Sequence, residues 1–380
     1  MKGFANALAY IRGRGIVRAD IAVQDGRIVK ISPPSHSVEP LAKTGDFLLT
    51  AGFIDEHIHG AGGADSMDGT QGALSVISQT LVKEGATSFL ATTMTQSQNA
   101  IMAALIAIAN FKRGRGARIL GAHLEGPFIS PKYTGAQSAE YIVKPSAEYF
   151  SALQKAAGGA IKMVTLAPEE DGGEMLIRLL KEEGITVSAG HSGATADQIE
   201  AAEKCGLSCI THTFNAQSPL HHRQAGVVGA ALLNDGLYCE VIADAVHVSV
   251  PALKLLIKSK PAEKLILITD AMRAKGAAEG VSELGGQTVY VNDGQARLKD
   301  GSLAGSVLKM NVAVKNLVEK CGAPVEYALD CASYNPACNL GLQEEYGSIR
   351  CGAAADFTLL DGKFNVVTTV VGGEVVYIAG

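Results

Sequence analysis

Two histidines stand one residue apart in Phe53-Ile54-Asp55-Glu56-His57-Ile58-His59-Gly60, at the end of an apolar run. Residues i and i+2 of a strand point to the same side, so His57 and His59 can present both imidazoles to one ion. Alone this is a weak signal, because a histidine beside a strand is more often a satisfied core group than a ligand. Recurrence changes the balance. Later apolar runs end at Glu125, at His191, at His212, at Asp244 and His247, and at Asp270. Taken singly, Glu125 and Asp270 would pass as caps of the helices that follow. Six run ends carrying ligand-type side chains together point to a metal site.

Imidazole and carboxylate donors without thiolate suit a divalent ion, zinc first, with iron, manganese and cobalt as alternatives. The donors suffice for one or two ions, with Glu125 placed to bridge a pair. Such a centre acidifies water, and Asp270 beside it would accept a proton and later donate it. That chemistry is hydrolytic.

Something must hold these residues at one place. Apolar runs near 48–57, 87–93, 118–125, 161–168, 185–190, 208–213, 238–243 and 264–269 read as buried parallel strands. Helical patterns such as Ala73–Glu84, Ala100–Phe111, Glu174–Glu183 and Asp197–Lys204 separate most of them. Eight strand–helix units fit a (β/α)8 barrel better than an open doubly wound sheet, and barrel active sites sit at the carboxyl ends of the strands. Gly-rich sequence from Ala274 to Gly305, with a hairpin signal at Asn292-Asp293-Gly294, reads as an insertion after the eighth strand. Short strand patterns at both ends, one around Asp25-Gly26, predict a small β-sandwich domain from residues 1–50 and 343–380, with the catalytic barrel at 51–342.

Composition narrows the rest. The 380 residues are 47% hydrophobic with a formal net charge of −5, and no basic block suggests nucleic acid as a partner. No apolar stretch is long enough to span a bilayer, and the start at Met1 lacks a signal-peptide pattern. Seven scattered cysteines without CxxC pairs suit reduced thiols in a cytoplasmic protein. Neither a Gly-x-Gly-x-x-Gly nor a Walker-type motif supports a nucleotide fold.

The motifs His57-Ile58-His59-Gly60, His123-Leu124-Glu125-Gly126-Pro127-Phe128, Gly190-His191-Ser192, Thr211-His212-Thr213-Phe214-Asn215-Ala216 and Thr269-Asp270-Ala271-Met272-Arg273 resemble the amidohydrolase superfamily. Within it the chain is similar, over essentially its whole length, to the N-acetylglucosamine-6-phosphate deacetylase family. The resemblance implies that Glu125, His191 and His212 hold the ion common to the family and that His57 and His59 add a second. It implies Asp270 as general base and acid, and Ala136, Asn215, Ala216, Arg223 and His247 as contacts to an amino-sugar phosphate. Arg223 is expected to reach in from a second subunit, which implies a homodimer; its guanidinium suits a phosphate. Gln137, Gln217 and Ala245 stand where the family commonly has His, Met and Gly, so the galacto substrate stays open beside the gluco one. A ring amide or a nucleobase is the alternative within the superfamily, and a non-catalytic sugar-phosphate sensor the alternative outside enzymes.

Overall fold

The structure, a computed structural model, describes residues 1–35 and 38–380. Eight parallel strands follow one another in chain order: β1 (Phe53–Ile58), β2 (Ala86–Thr93), β3 (Arg118–Glu125), β4 (Ile161–Leu166), β5 (Thr186–Ala189), β6 (Cys209–Ile210), β7 (Tyr238–Ile242) and β8 (Leu265–Ile268). Each neighbouring pair from β1 to β8 shares a parallel ladder. Between β8 and β1 the join is made just beyond the strands. Asp270 N–H donates to the His57 carbonyl at 2.9 Å, and His59 N–H to the Ala271 carbonyl at 2.9 Å. The (β/α)8 barrel expected from the alternating runs is therefore present, and its seam lies between the two segments that carry His57, His59 and Asp270.

Helices α1 (Gln71–Leu81), α2 (Gln98–Ala109), α3 (Ala147–Ala156), α4 (Gly173–Glu182), α5 (Ala196–Cys205), α6 (Gly226–Leu233), α7 (Val250–Ser259) and α8 (Met310–Glu319) alternate with the strands. Their starts follow local chemistry. Thr70 and Ser97 cap α1 and α2 by accepting a backbone N–H, and Thr195 with Gln198 forms a capping box at α5. The largest buried cluster runs through these strands and helices and includes Phe53, Phe89, Leu105, Phe150, Leu176 and Leu317.

The first apolar run is not one strand. Leu48–Ala51 pairs with the terminal strands, and the chain enters the barrel at Gly52. A Cβ at Gly52 would stand 2.1 Å from Thr87 Oγ1, so only glycine fits this crossing. The terminal strands form one sheet in the order Glu374–Ile378, Val366–Val371, Phe357–Leu360, Leu48–Ala51, Lys2–Ile11, Gly15–Gln24, Arg27–Ser32, with Glu39–Pro40 beside Lys2–Ile11. It has its own core, in which Phe4 and Phe357 meet edge-on at 5.0 Å.

The expected insertion is a three-stranded antiparallel sheet, Gly280–Leu284, Gln287–Asn292 and Gln295–Arg297. Its second turn has Asp293 at φ 50° and Gly294 at φ 71°, as a two-residue hairpin turn of the primed type requires. This sheet leans on the barrel mouth through Met94, Met272 and Leu284. No helix among the described residues is long and apolar enough to cross a membrane.

Candidate metal centre and active site

Strand ends deliver the predicted donors to one point. His57 lies one residue before the end of β1, where its pairing with β2 is irregular, and His59 follows the strand. Glu125 closes β3, His191 and His212 lie just past β5 and β6, and Asp270 just past β8. Glu125 Oε1 is 3.1 Å from His191 Nε2, 3.2 Å from His212 Nε2 and 3.3 Å from His57 Nε2. Its Oε2 is 3.2 Å from His59 Nε2. Asp270 Oδ1 stands 3.2 Å from His59 Nε2 and 3.5 Å from His57 Nε2. The four imidazoles and Glu125 are buried.

This donor set fits a divalent metal. Ligands held tetrahedrally at about 2.0–2.1 Å from zinc stand roughly 3.3–3.4 Å from one another, close to the spacings here. His191 and His212 point their Nε2 atoms at each other across 3.1 Å, and His57 Nε2 has no hydrogen-bond partner. Two groups of three donors can be drawn around Glu125: His57 with His59, and His191 with His212. Each could take one ion, with Glu125 between them.

The field points the same way. Burial disfavours charge on His59, but hydrogen bonds to Asp270 and Glu125 outweigh it and raise the imidazole to about 9. The cluster therefore attracts positive charge. Burial alone would raise Asp270; the His57 charge and the His59 hydrogen bond bring it down to about 2. Glu125 is likewise held well below the usual carboxylate range against its burial, by His57 and by hydrogen bonds from His191 and His212. Both acids stay ionised, as ligands or proton acceptors must. His123 is different: burial pushes it well below its ordinary value, and its Nε2 meets Thr165 Oγ1 at 2.7 Å. It is a neutral core histidine packed edge-on against His57.

Backbone strain gathers here. His191, His212, Phe214, Ala216, Ala245 and Asp270 all have positive φ without being glycine. Such residues cost of order 1–3 kcal/mol each and cluster at working sites. The same turn explains why β6 stops at Ile210, short of the expected 208–213.

The cleft above the donors encloses about 140 Å³ and is lined by Ala136, Asn215, Ala216, His247 and Asp270, among others. Asp244 Oδ2 accepts from His247 Nδ1 at 2.6 Å, which fixes that ring. Arg223 is not brought in by its own chain: it lies on an exposed loop, 2.8 Å from His222 Nε2, and does not line the cleft. Of the residues that depart from the family pattern, Gln137 donates to Glu125 Oε2 at 2.6 Å and accepts from Thr95 N–H at 2.7 Å. It steadies that carboxylate. Gln217 turns back onto the Thr211 and Asn215 carbonyls, away from the cleft. Ala245 holds a left-handed backbone, φ 67°, that suits glycine.

Sequence reading missed Glu240. It lies within β7, fully buried, with its Oε2 3.0 Å from His57 Nδ1. A charged residue inside a strand as apolar as β7 was the available signal. Met94, Leu284 and Leu303, the apolar lining from the β2 end and the insertion, gave none.

Fold and site together define the class. The chain belongs to the amidohydrolase family, whose model matches residues 48–376. Within that class it lies beside deacetylases of amino-sugar phosphates. It is 44% identical to the N-acetylglucosamine-6-phosphate deacetylase of Bacillus subtilis (strain 168), covering 94% of this chain and 93% of the relative. It is 36% identical to the N-acetylgalactosamine-6-phosphate deacetylase of Escherichia coli O157:H7, covering 93% of each. An aspartate-to-alanine mutant of the Mycobacterium smegmatis N-acetyl-D-glucosamine-6-phosphate deacetylase, solved in complex with N-acetyl-D-glucosamine-6-phosphate, superposes with a TM-score of 0.90. It is 29% identical and the match covers 98% of each chain.

Proposed function

We propose that this chain hydrolyses N-acetyl-D-glucosamine 6-phosphate to D-glucosamine 6-phosphate and acetate, as a step of amino-sugar catabolism. The convergence of Glu125, His57, His59, His191 and His212 on one point, with ionised Asp270 in the same cleft, carries the reading. Glu125, His191 and His212 would hold one divalent ion, and His57, His59 and Glu125 a second. Zinc suits the imidazole and carboxylate donors best, with iron as the alternative. Bound there, the metal supplies Lewis acidity, lowering the pKa of water and polarising a carbonyl oxygen.

The chain's own residues do the rest. Asp270 takes a proton from the attacking water as its oxygen bonds to the acetyl carbon. As the C–N bond breaks, Asp270 returns that proton to the departing amine. Asn215, the backbone at Ala216 and Ala136, and His247 held by Asp244 would seat the sugar and phosphate. Arg223, exposed in one chain, would complete the phosphate contact of a neighbouring copy in a homodimer. Seven unpaired cysteines support a reducing compartment, the cytoplasm.

The gluco substrate is favoured over the galacto one by the closer similarity to the relative named for it. The test is acetate release on a panel: both N-acetylhexosamine 6-phosphates and unphosphorylated N-acetylglucosamine, with ammonia followed alongside. Acetate without ammonia, fastest on the gluco phosphate, is expected. Equal rates with and without phosphate would remove the phosphate pocket. Arg223→Ala should raise KM for the phosphorylated sugar about tenfold or more, the weight of a lost charge-assisted contact. Mixing it with an Asp270→Asn partner should restore part of the activity; no recovery would contradict the shared site.

A further inference from the structure

Glu240 has no place in the hydrolytic scheme, yet it sits against two of the donors that scheme uses. Its Oε2 is 3.0 Å from His57 Nδ1 and accepts the backbone N–H of His212 at 3.1 Å. One carboxylate oxygen thus ties together the end of β1 and the turn after β6. His57 presents its other nitrogen, Nε2, to Glu125 Oε1 at 3.3 Å and to Asp270 Oδ1 at 3.5 Å. A neutral imidazole carries its proton on one nitrogen and its lone pair on the other. With Nδ1–H given to Glu240, the lone pair is left on Nε2, facing the donor cluster.

Among the described residues no other group hydrogen-bonds His57 Nδ1. His123 packs edge-on against the ring at 4.6 Å, and its own polar contact is to Thr165. The His212 bond matters separately, because that backbone sits at φ 29°, a conformation a histidine adopts only when held.

We propose that Glu240 is the positioning residue that sets the tautomer and orientation of His57, and thereby decides whether the centre holds one ion or two. This rests on the reading of His57, His59 and Glu125 as one ion's ligands. Loss of a carboxylate that backs a ligating histidine weakens metal binding by about 10–100-fold. The effect should fall on the ion held by His57 and leave the one at His191 and His212 nearly unchanged.

The test uses the full chain, stripped of metal and titrated with zinc. Bound metal is counted by elemental analysis, and the two affinities are read by calorimetry. Wild type should bind two ions, His57→Asn one, and Glu240→Gln one tightly with the second weakened about 10–100-fold. Glu240→Asp keeps a carboxylate one methylene short, should weaken the second ion less than the glutamine, and serves if Glu240→Gln does not fold. Two wild-type affinities in either Glu240 variant, with His57→Asn reduced to one ion, would overturn the proposal and leave the ligand reading standing. Equal stoichiometry in wild type and His57→Asn would overturn the ligand reading of His57, and the proposal with it.

Discussion

The barrel mouth and the terminal sheet treat unusual residues in opposite ways. At the mouth, positive φ falls on His191, His212, Ala216 and Asp270, and the buried groups are imidazoles and acids. In the terminal sheet, positive φ falls largely on turn residues such as Asp25-Gly26 and Gly372-Gly373, and the core is apolar, built on Phe4, Ile21, Leu49 and Phe357. One region holds strained, charged side chains in place for chemistry; the other supplies ordinary packing. Damage to the first should appear in turnover and damage to the second in stability.

The sharpest separation is expected at Asp270. Asp270→Asn should cut turnover by roughly 10²–10⁴-fold, the usual worth of a general acid–base group. Its denaturation midpoint and substrate affinity should stay near wild type. Near-normal turnover would take Asp270 out of the reaction and blur the two regions. The converse is Phe357→Ala, which empties the packing against Phe4 in the terminal sheet. A loss of about 3–5 kcal/mol is expected from urea unfolding, with KM unchanged; a raised KM would mean the sheet shapes the cleft.

A third probe lies on the barrel wall, behind the mouth. Lys275 is buried and paired with Glu84, and hydrogen-bonds Thr269 Oγ1 at 3.4 Å. Burial raises Glu84 to about 7 despite the lysine. Its carboxyl therefore binds a proton more tightly in the folded chain than in the unfolded one. The stability this contributes is complete below about pH 4.5, the ordinary glutamate value, and is lost as pH rises through 7. Glu84→Gln should flatten that part of the stability–pH profile, whatever its absolute stability. An unchanged slope between pH 5 and 8 would show that Glu84 is not the group responsible. The smallest effect is expected at Ala245, whose left-handed backbone glycine adopts freely. Ala245→Gly should gain up to about 1 kcal/mol, read as a raised midpoint, and a loss would show that the methyl group packs usefully.

Much of this was legible in sequence because the signals were local. Asp25-Gly26 and Asn292-Asp293-Gly294 announced their hairpins, since both central positions of such turns need positive φ. The alternating runs gave the barrel, and its strand ends gave the candidate donors. What stayed hidden depended on contacts between distant segments. The run at 48–57 concealed a crossing between two sheets at Gly52, visible only once Thr87 lies against it. Helix α6, Gly226–Leu233, is buried nearly all round and shows no helical stripe. Gln137 stood out only as a departure from the family's usual His, and its hold on Glu125 shows once the two segments meet; Glu240 gave no reading until β7 lay beside His57.

The most direct measurement is acetate release from N-acetyl-D-glucosamine 6-phosphate by one preparation, first stripped with a chelator and then reloaded with counted zinc. Activity should fall to background on stripping and return in proportion to the ions bound. Undiminished acetate release from demonstrably metal-free protein would contradict the account.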